Sequence, residues 1–320
     1  MTFAGSADRV ESRLVPEAGF ELDTFAVSGI PRELGPRLVT SLGQAVTAPA
    51  ACLRILARRR PDVVLGGGGY VAGPMVLAAW LRRIPAALTE ADAHLGLANL
   101  LAAPFARRVF LAYELDGRRE PKYQVVGRAI PAAHLGATRE EGRRQFGLPA
   151  DGPVVAVFGA LAGARSLNEL AVGAWGASGP AVLHISGERD YQSLRVRIER
   201  PDYVLVPQTD RFAAALAAAD LAVSRAGGTV WELAAAGTPA ILVPYPHATA
   251  DHQTLNARHF EHGGGALVVA DSELGRIPAL VDELLADPAR RASMRDAMLG
   301  LARPDAGEQI AEELIRLARA

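Results

Sequence analysis

Apolar positions along the chain follow two alternating rhythms. Short runs of aliphatic and β-branched residues end at a glycine or a polar cluster, and stretches with apolar residues three or four apart follow them. The runs predict strands at Asp62–Leu65, Ala86–Leu88, Val109–Leu111, Gln124–Val126, Val154–Phe158, Ala181–Ile185, Tyr203–Val206, Leu221–Val223, Ala240–Val243 and Ala266–Val269. The stretches predict helices at Arg37–Arg59, Gly73–Arg82, Gly96–Ala103, Glu140–Phe146, Arg211–Ala218, Thr229–Ala236 and His252–Glu261. Strand-helix alternation of this kind predicts parallel sheets covered by helices on both faces. Beyond Asp271 only the helical period remains, with Pro288 and Pro304 near helix starts, where proline is tolerated.

A fresh series of strand-helix units opens at Val154, and Gly127-Arg128-Ala129-Ile130-Pro131 separates it from the first series. The expected class is α/β, with two doubly wound parallel-sheet domains facing a cleft. The first domain is expected over residues 1–132 and the second over 133–303, with a helix over 304–320 available to pack back on the first. Ligands of such sheets bind beyond the carboxyl ends of the strands, so the loops after strands carry the candidate chemistry.

Composition narrows the classes. The 320 residues are 50% hydrophobic and 22% charged, an ordinary globular balance. A net charge of −1 gives no overall basic excess for nucleic acid. Cys52 is the only cysteine, which excludes an internal disulfide and a cysteine-cluster zinc site. The start, MTFAGSADRVESR, reaches charge too early for a signal peptide, and apolar stretches are broken as by Arg82 and Arg83, short of a membrane span.

Five post-strand segments stand out. Gly66–Gly69 opens a helix, a shape that suits either anion binding or a plain tight turn. In Ser224-Arg225-Ala226-Gly227-Gly228-Thr229-Val230-Trp231-Glu232, the amides of Gly228, Thr229 and Val230 are expected to face a diphosphate. Glu232, one turn on, suits a diol such as a ribose; a dipole-favoured surface glutamate is the plain alternative. Pro244–Ala257 is dense in polar side chains suited to sugar hydroxyls, and its His247, Asp251 and His252 match no standard zinc spacing. Thr89–Asn99 gathers Glu90, Asp92, His94 and Asn99, where Glu90 or His94 could act as a general base while Asp92 could simply cap a helix. Arg165, in the Phe158–Asn168 turn, suits a phosphate or open solvent equally.

Pro61–Pro74, Gly163–Asn168, Ser224–Glu232 and Asp251–Ala257 together resemble, in order and over nearly the whole chain, the MurG family of peptidoglycan N-acetylglucosaminyltransferases. The resemblance implies a GT-B fold and an inverting, metal-independent transfer from UDP-GlcNAc to lipid I, without cofactor, on the cytoplasmic face of the membrane. It implies that Glu232 holds the ribose and Gly228–Val230 the diphosphate, with Arg225 and Gly227 in the same turn. Gln253 and Asn256 would address GlcNAc hydroxyls and Thr209 the uracil edge. Glu90, Asp92 and Asn99 would belong to the acceptor loop. The chain departs from the family at Glu90-Ala91-Asp92, usually Glu-Gln-Asn, and at Gly159-Ala160-Leu161, usually Gly-Gly-Ser. Its Ser224–Glu232 turn is one residue shorter than the commonest form.

Thr2-Phe3-Ala4-Gly5 reads as the end of the family's second strand, which predicts a chain that begins downstream of its natural start and transfers sugar poorly. A second glycosyltransferase reading, with another lipid or small-molecule acceptor, stays open, as does a non-catalytic sugar-nucleotide-binding protein. The Arg37–Arg59 helix, with Leu38, Leu42, Val46 and Leu53 and with Arg54, Arg58, Arg59 and Arg60 near one end, is a candidate contact with an anionic membrane surface or an ordinary core helix.

Overall fold

A computed structural model describes residues 1–28, 36–159 and 163–320. The chain forms two compact units, Met1–Gly127 with Glu308–Ala320, and Arg128–Gly307. In order, the first unit holds β1 (Phe3–Gly5), α1 (Glu11–Glu17), β2 (Leu22–Thr24), α2 (Pro36–Arg59), β3 (Val64–Gly66), α3 (Gly69–Leu81), β4 (Ala86–Glu90), α4 (Leu97–Ala102), β5 (Arg108–Leu111) and β6 (Tyr123–Val125). The second holds α5 (Arg139–Phe146), β7 (Val154–Phe158), α6 (Arg165–Trp175), β8 (Ala181–Ile185), α7 (Glu188–Arg195), β9 (Tyr203–Val206), α8 (Phe212–Ala218), β10 (Leu221–Ser224) and α9 (Val230–Ala236). It continues through β11 (Ala240–Leu242), α10 (His252–His262), β12 (Ala266–Val268), α11 (Ile277–Ala286) and α12 (Pro288–Leu301), before α13 (Ala306–Arg319) closes the chain.

In the first unit β3-β4-β5-β6 form a parallel sheet in chain order, and β1 and β2 pair as a separate parallel ribbon. The period-two alternation of its strands sorts side chains between two faces. Leu88, Val109 and Leu111 pack with Cys52 and Leu56 of α2 and Val76 and Ala79 of α3. Ala87 and Phe110 face the other way, against Ile310 and Leu317 of α13. An ion pair of 2.8 Å from Arg108 to Glu313 pins α13 to the sheet.

The second unit has the strand order β12-β11-β10-β7-β8-β9, all parallel. Val155, Val157, Val223 and Ile241 pack against α6 and α11 on one face, and Val154 and Leu183 meet Ala215 and Ala218 of α8 on the other. The order reverses between β7 and β10, where Phe158 lies in register with Ser224. That topological switch point sets the loops after β7 and β10 side by side, the place where such sheets bind ligands.

Each expected strand is present within two residues of its expected bounds. Helix α3 starts at Gly69, earlier than Gly73. Pro74 lies just past the first turn, whose N–H groups are unbonded in any helix, so its missing donor removes a single bond. β2, α1, α6 and α7 have no counterpart among the expected elements; α1 buries no side chain, so no apolar stripe announces it.

Helix α2 is a core helix. Ala48, Cys52 and Leu56 are buried, and Arg58 and Arg59 are tied to Asp23, Arg59 through 2.7 Å from Nε. The Arg59 hydrogen bond holds the Asp23 carboxyl below the usual carboxylate range, against the opposing effect of burial. Two of the four arginines near its end are thus engaged, Arg58 and Arg59 by this carboxylate and Arg59 also by Glu21, while Arg54, Arg60 and Val46 are exposed; the Leu38 and Leu42 side chains lie outside the described residues.

Candidate functional site

In the second unit, β10 ends at Ser224, and Arg225 through Thr229 turn the chain into α9. The turn is tighter than expected. The Val230 amide donates to the Gly227 carbonyl at 3.2 Å, so it is not an open donor; the first turn closes in the three-residue manner common at helix ends. The Gly228 and Thr229 amides keep no such partner among the described residues. Gly227 takes no left-handed conformation, and a Cβ built there meets nothing within 4 Å. Neither backbone nor packing demands a glycine at 227, so the space above it stands open.

Glu232 lies one turn into α9, its side chain 14% exposed. Its Oε1 lies 2.5 Å from Nδ1 of His134, which comes from the short helical turn Ala132–His134. The imidazole also stands over Phe212, ring centres 6.2 Å apart, and Phe212 meets Phe158 edge-on at 5.2 Å. A carboxylate held in this way keeps its second oxygen for a further donor.

Several expected ligands instead hold the site together. The Arg225 guanidinium is buried, and it donates to the Val243 and Pro244 carbonyls at 3.2 and 3.1 Å and to Ser166 Oγ and Asp271 Oδ1 at 2.7 Å. It clamps three loops and stacks over Tyr245. Asn256 is fully buried and donates to the Ala226 carbonyl at 3.2 Å, so it braces the glycine turn from behind instead of facing a sugar. Gln253 accepts from the Tyr245 amide at 2.9 Å, and Thr209 accepts from the Arg211 amide at 3.0 Å. Arg165 is largely exposed and pairs with Asp190 at 3.4 Å. Ala160, Leu161 and Ala162, where the family's serine position falls, lie outside the described residues.

In the first unit the Thr89–Asn99 loop is organised by Glu90. Its Oε1 accepts from the Ala91 and Asp92 amides, and its Oε2 from the Gly96 amide and Asn99 Nδ2, both at 2.9 Å. With both oxygens engaged, Glu90 shapes the loop and is ill placed to take a substrate proton, which corrects its candidacy as the base. Asn99 is buried, bonds the Thr89 carbonyl, and keeps its Oδ1 without a hydrogen-bond partner among the described residues. His94, the other candidate base, is half-buried. α3 and α4 expose Trp80, Leu81, Leu97, Leu100 and Leu101; Trp80 packs on Phe105 at 5.2 Å, and Arg82, Arg83 and Arg107 are exposed.

Two neighbours of the glycine turn escaped the sequence reading: Arg128, in the stretch that separates the two strand-helix series, and His134, just after it. No local spacing points to either, because their partners lie about a hundred residues away.

Residues 2–111 match the glycosyltransferase family 28 N-terminal domain and residues 154–310 its C-terminal domain. A UDP-N-acetylglucosamine--N-acetylmuramyl-(pentapeptide) pyrophosphoryl-undecaprenol N-acetylglucosamine transferase of Halothermothrix orenii is 36% identical over 94% of this chain and 87% of its own length. The chain belongs to the MurG family. The enzyme of the same name from Mycobacterium leprae is 39% identical over 100% of this chain and 82% of its own. The crystal structure of Acinetobacter baumannii MurG superposes with a TM-score of 0.74, covering 98% of this chain and 90% of that one at 24% identity. This member of the family thus has the GT-B fold, as its two doubly wound units lead one to expect.

Proposed function

We propose that the chain transfers N-acetylglucosamine from UDP-GlcNAc to the undecaprenyl-linked muramyl-pentapeptide, lipid I, producing lipid II, as the names of its relatives describe for those enzymes. The observation that carries the donor half is the β7–β10 switch point with an open Gly227 and a half-engaged Glu232 beside it. In this reading the Glu232 carboxylate accepts from the ribose hydroxyls, the Gly228 and Thr229 amides donate to the diphosphate, and Arg225 and Asn256 hold the turn in shape. Gln253 and Thr209 flank the sugar and the uracil.

For the acceptor half, the Thr89–Asn99 loop supplies Asn99 Oδ1 as a buried acceptor in want of a donor, and His94 as the group left to take the hydroxyl proton. The acceptor oxygen bonds to C1 of the sugar while the C1–O bond to the β-phosphate breaks, its electron pair leaving with UDP. Inversion at C1 follows from attack on the face opposite the leaving group.

Among the described residues no helix is long and apolar enough to cross a membrane. The exposed Trp80, Leu81, Leu97, Leu100 and Leu101, beside Arg82, Arg83 and Arg107, support peripheral contact with an anionic membrane surface on the cytoplasmic side. Aromatic and aliphatic side chains enter the interface and arginines meet the headgroups, a role first sought on α2. A mass-spectrometric assay with UDP-GlcNAc and a lipid I analogue tests the proposal. A product heavier by one GlcNAc residue supports it. UDP binding without transfer to any acceptor would instead make the chain a sugar-nucleotide-binding protein.

A further inference from the structure

Three arginines stand near the turn that follows β10, and two are already committed. Arg225 is bonded to Asp271 at 2.7 Å and Arg165 to Asp190 at 3.4 Å. The third, Arg128, is exposed and makes no ion pair or side-chain hydrogen bond with any described residue. Its guanidinium nevertheless lies against Gly228, so that a Cβ built on that glycine would fall 1.6 Å from Nη1 and 2.1 Å from Cζ. Gly228 is not in a left-handed conformation. Its missing side chain is therefore the space the guanidinium occupies, directly beside the open space at Gly227.

From this juxtaposition we infer that Arg128 is the cationic ligand of the donor's diphosphate, and that it meets the charge released when the sugar leaves. The inference rests on the donor site proposed above. Transfer breaks the bond between C1 and the β-phosphate oxygen and leaves the electron pair on that oxygen. The departing UDP then carries one more negative charge than it did in the donor, while the acceptor's proton passes to a general base. A guanidinium presents several N–H groups in one plane and stays charged at any working pH, which suits two neighbouring phosphate oxygens. The same short segment that brings Arg128 to Gly228 brings His134 to Glu232, so one strap of chain addresses both the phosphate and the ribose ends of the turn.

The test is calorimetric titration of the full chain and of Arg128→Ala and Arg128→Lys with UDP and with uridine, together with donor kinetics. Arg128 is exposed, so the variants should fold as the parent does. Loss of a charge-assisted contact predicts UDP affinity about 10- to 100-fold weaker in Arg128→Ala, with uridine affinity unchanged and partial recovery in lysine. A kcat decrease at saturating UDP-GlcNAc should accompany it, because the charge develops in the transition state. The inference is overturned if Arg128→Ala binds UDP as the parent does, or loses UDP and uridine in equal measure. If the parent itself binds no UDP, it is the donor-site reading that fails, and this inference with it.

Discussion

Nδ1 of His134 lies 2.5 Å from Oε1 of Glu232, across 98 residues of chain. The contact fixes the orientation of a mostly buried carboxylate in the absence of a ligand, and it leaves Oε2 for a ribose hydroxyl. His134 thus acts through Glu232. Because it positions the carboxylate and does not itself reach the nucleoside, His134→Ala should weaken uridine binding by only about 2- to 12-fold, or about 0.5–1.5 kcal/mol. His134→Gln, which can still donate, should stay closer to the parent. Equal affinities for uridine in all three proteins would remove the positioning role.

Glu232→Ala should have the larger effect. Hydrogen bonds to a charged group contribute roughly 1.5–3 kcal/mol, which predicts UDP binding about 10- to 200-fold weaker with the fold intact. The comparison that matters is with 2′-deoxyuridine diphosphate. The parent should discriminate against it and the variant should not. A folded variant with unchanged UDP affinity would sink the assignment.

The strands were legible because a parallel strand covered on both faces reads as an unbroken apolar run. Val154–Phe158 is buried at all five positions. The polar α7 and the three-residue β2 carry no such run. At the site, the glycines and Glu232 were legible because they are neighbours in sequence at a strand-to-helix turn. Residue order put Arg225 in that turn, and only the family resemblance brought Asn256 to the donor site. Neither told that each faces inward, bonded to the carbonyls of Ala226 or of Val243 and Pro244. Arg128 and His134 were not legible, because only the folded chain brings them to Gly228 and Glu232.

Gly227→Ala separates space from stability. The added methyl meets nothing within 4 Å in the unliganded chain, so thermal stability should be unchanged or slightly raised. If the open space holds the donor's diphosphate, UDP affinity should drop by at least about 10-fold while uridine affinity holds. Retained UDP affinity in Gly227→Ala would move the diphosphate elsewhere.

Replacing Trp80, Leu97 and Leu101 together by serine tests the lipid-facing surface. All three are more than half exposed, so the loss in stability should be small. Co-sedimentation with anionic vesicles should fall severalfold, whereas Arg58→Ala on α2 should leave it unchanged, since that arginine is engaged by Asp23. Undiminished sedimentation of the triple variant would point to another surface.

Acid should unfold the second unit through His184. This side chain is fully buried between β7 and β9, with Nδ1 2.8 Å from the Tyr203 hydroxyl and Nε2 2.9 Å from Asn168 Oδ1. The Asn168 amide nitrogen is already committed to the Ser186 carbonyl and Asp190, so its oxygen must face the ring. Nε2 therefore carries the proton and Nδ1 accepts from Tyr203, an assignment fixed by the network. A second proton has nowhere to go but Nδ1, where it would end the donation from Tyr203 and place a charge in the core. Burial accordingly pulls the His184 pKa down from 6.5 to about 3. Because the folded value lies below the unfolded one, the unfolded chain binds more protons between these pH values. Stability is then full above about pH 6.5 and declines as pH falls toward 3, by up to ~1.4 kcal/mol per pH unit. Denaturant titrations at pH 7.5 and 5 should show a steeper loss for the parent than for His184→Gln, even though the variant starts less stable. Parallel pH dependences in the two proteins would mean that His184 does not carry the acid sensitivity.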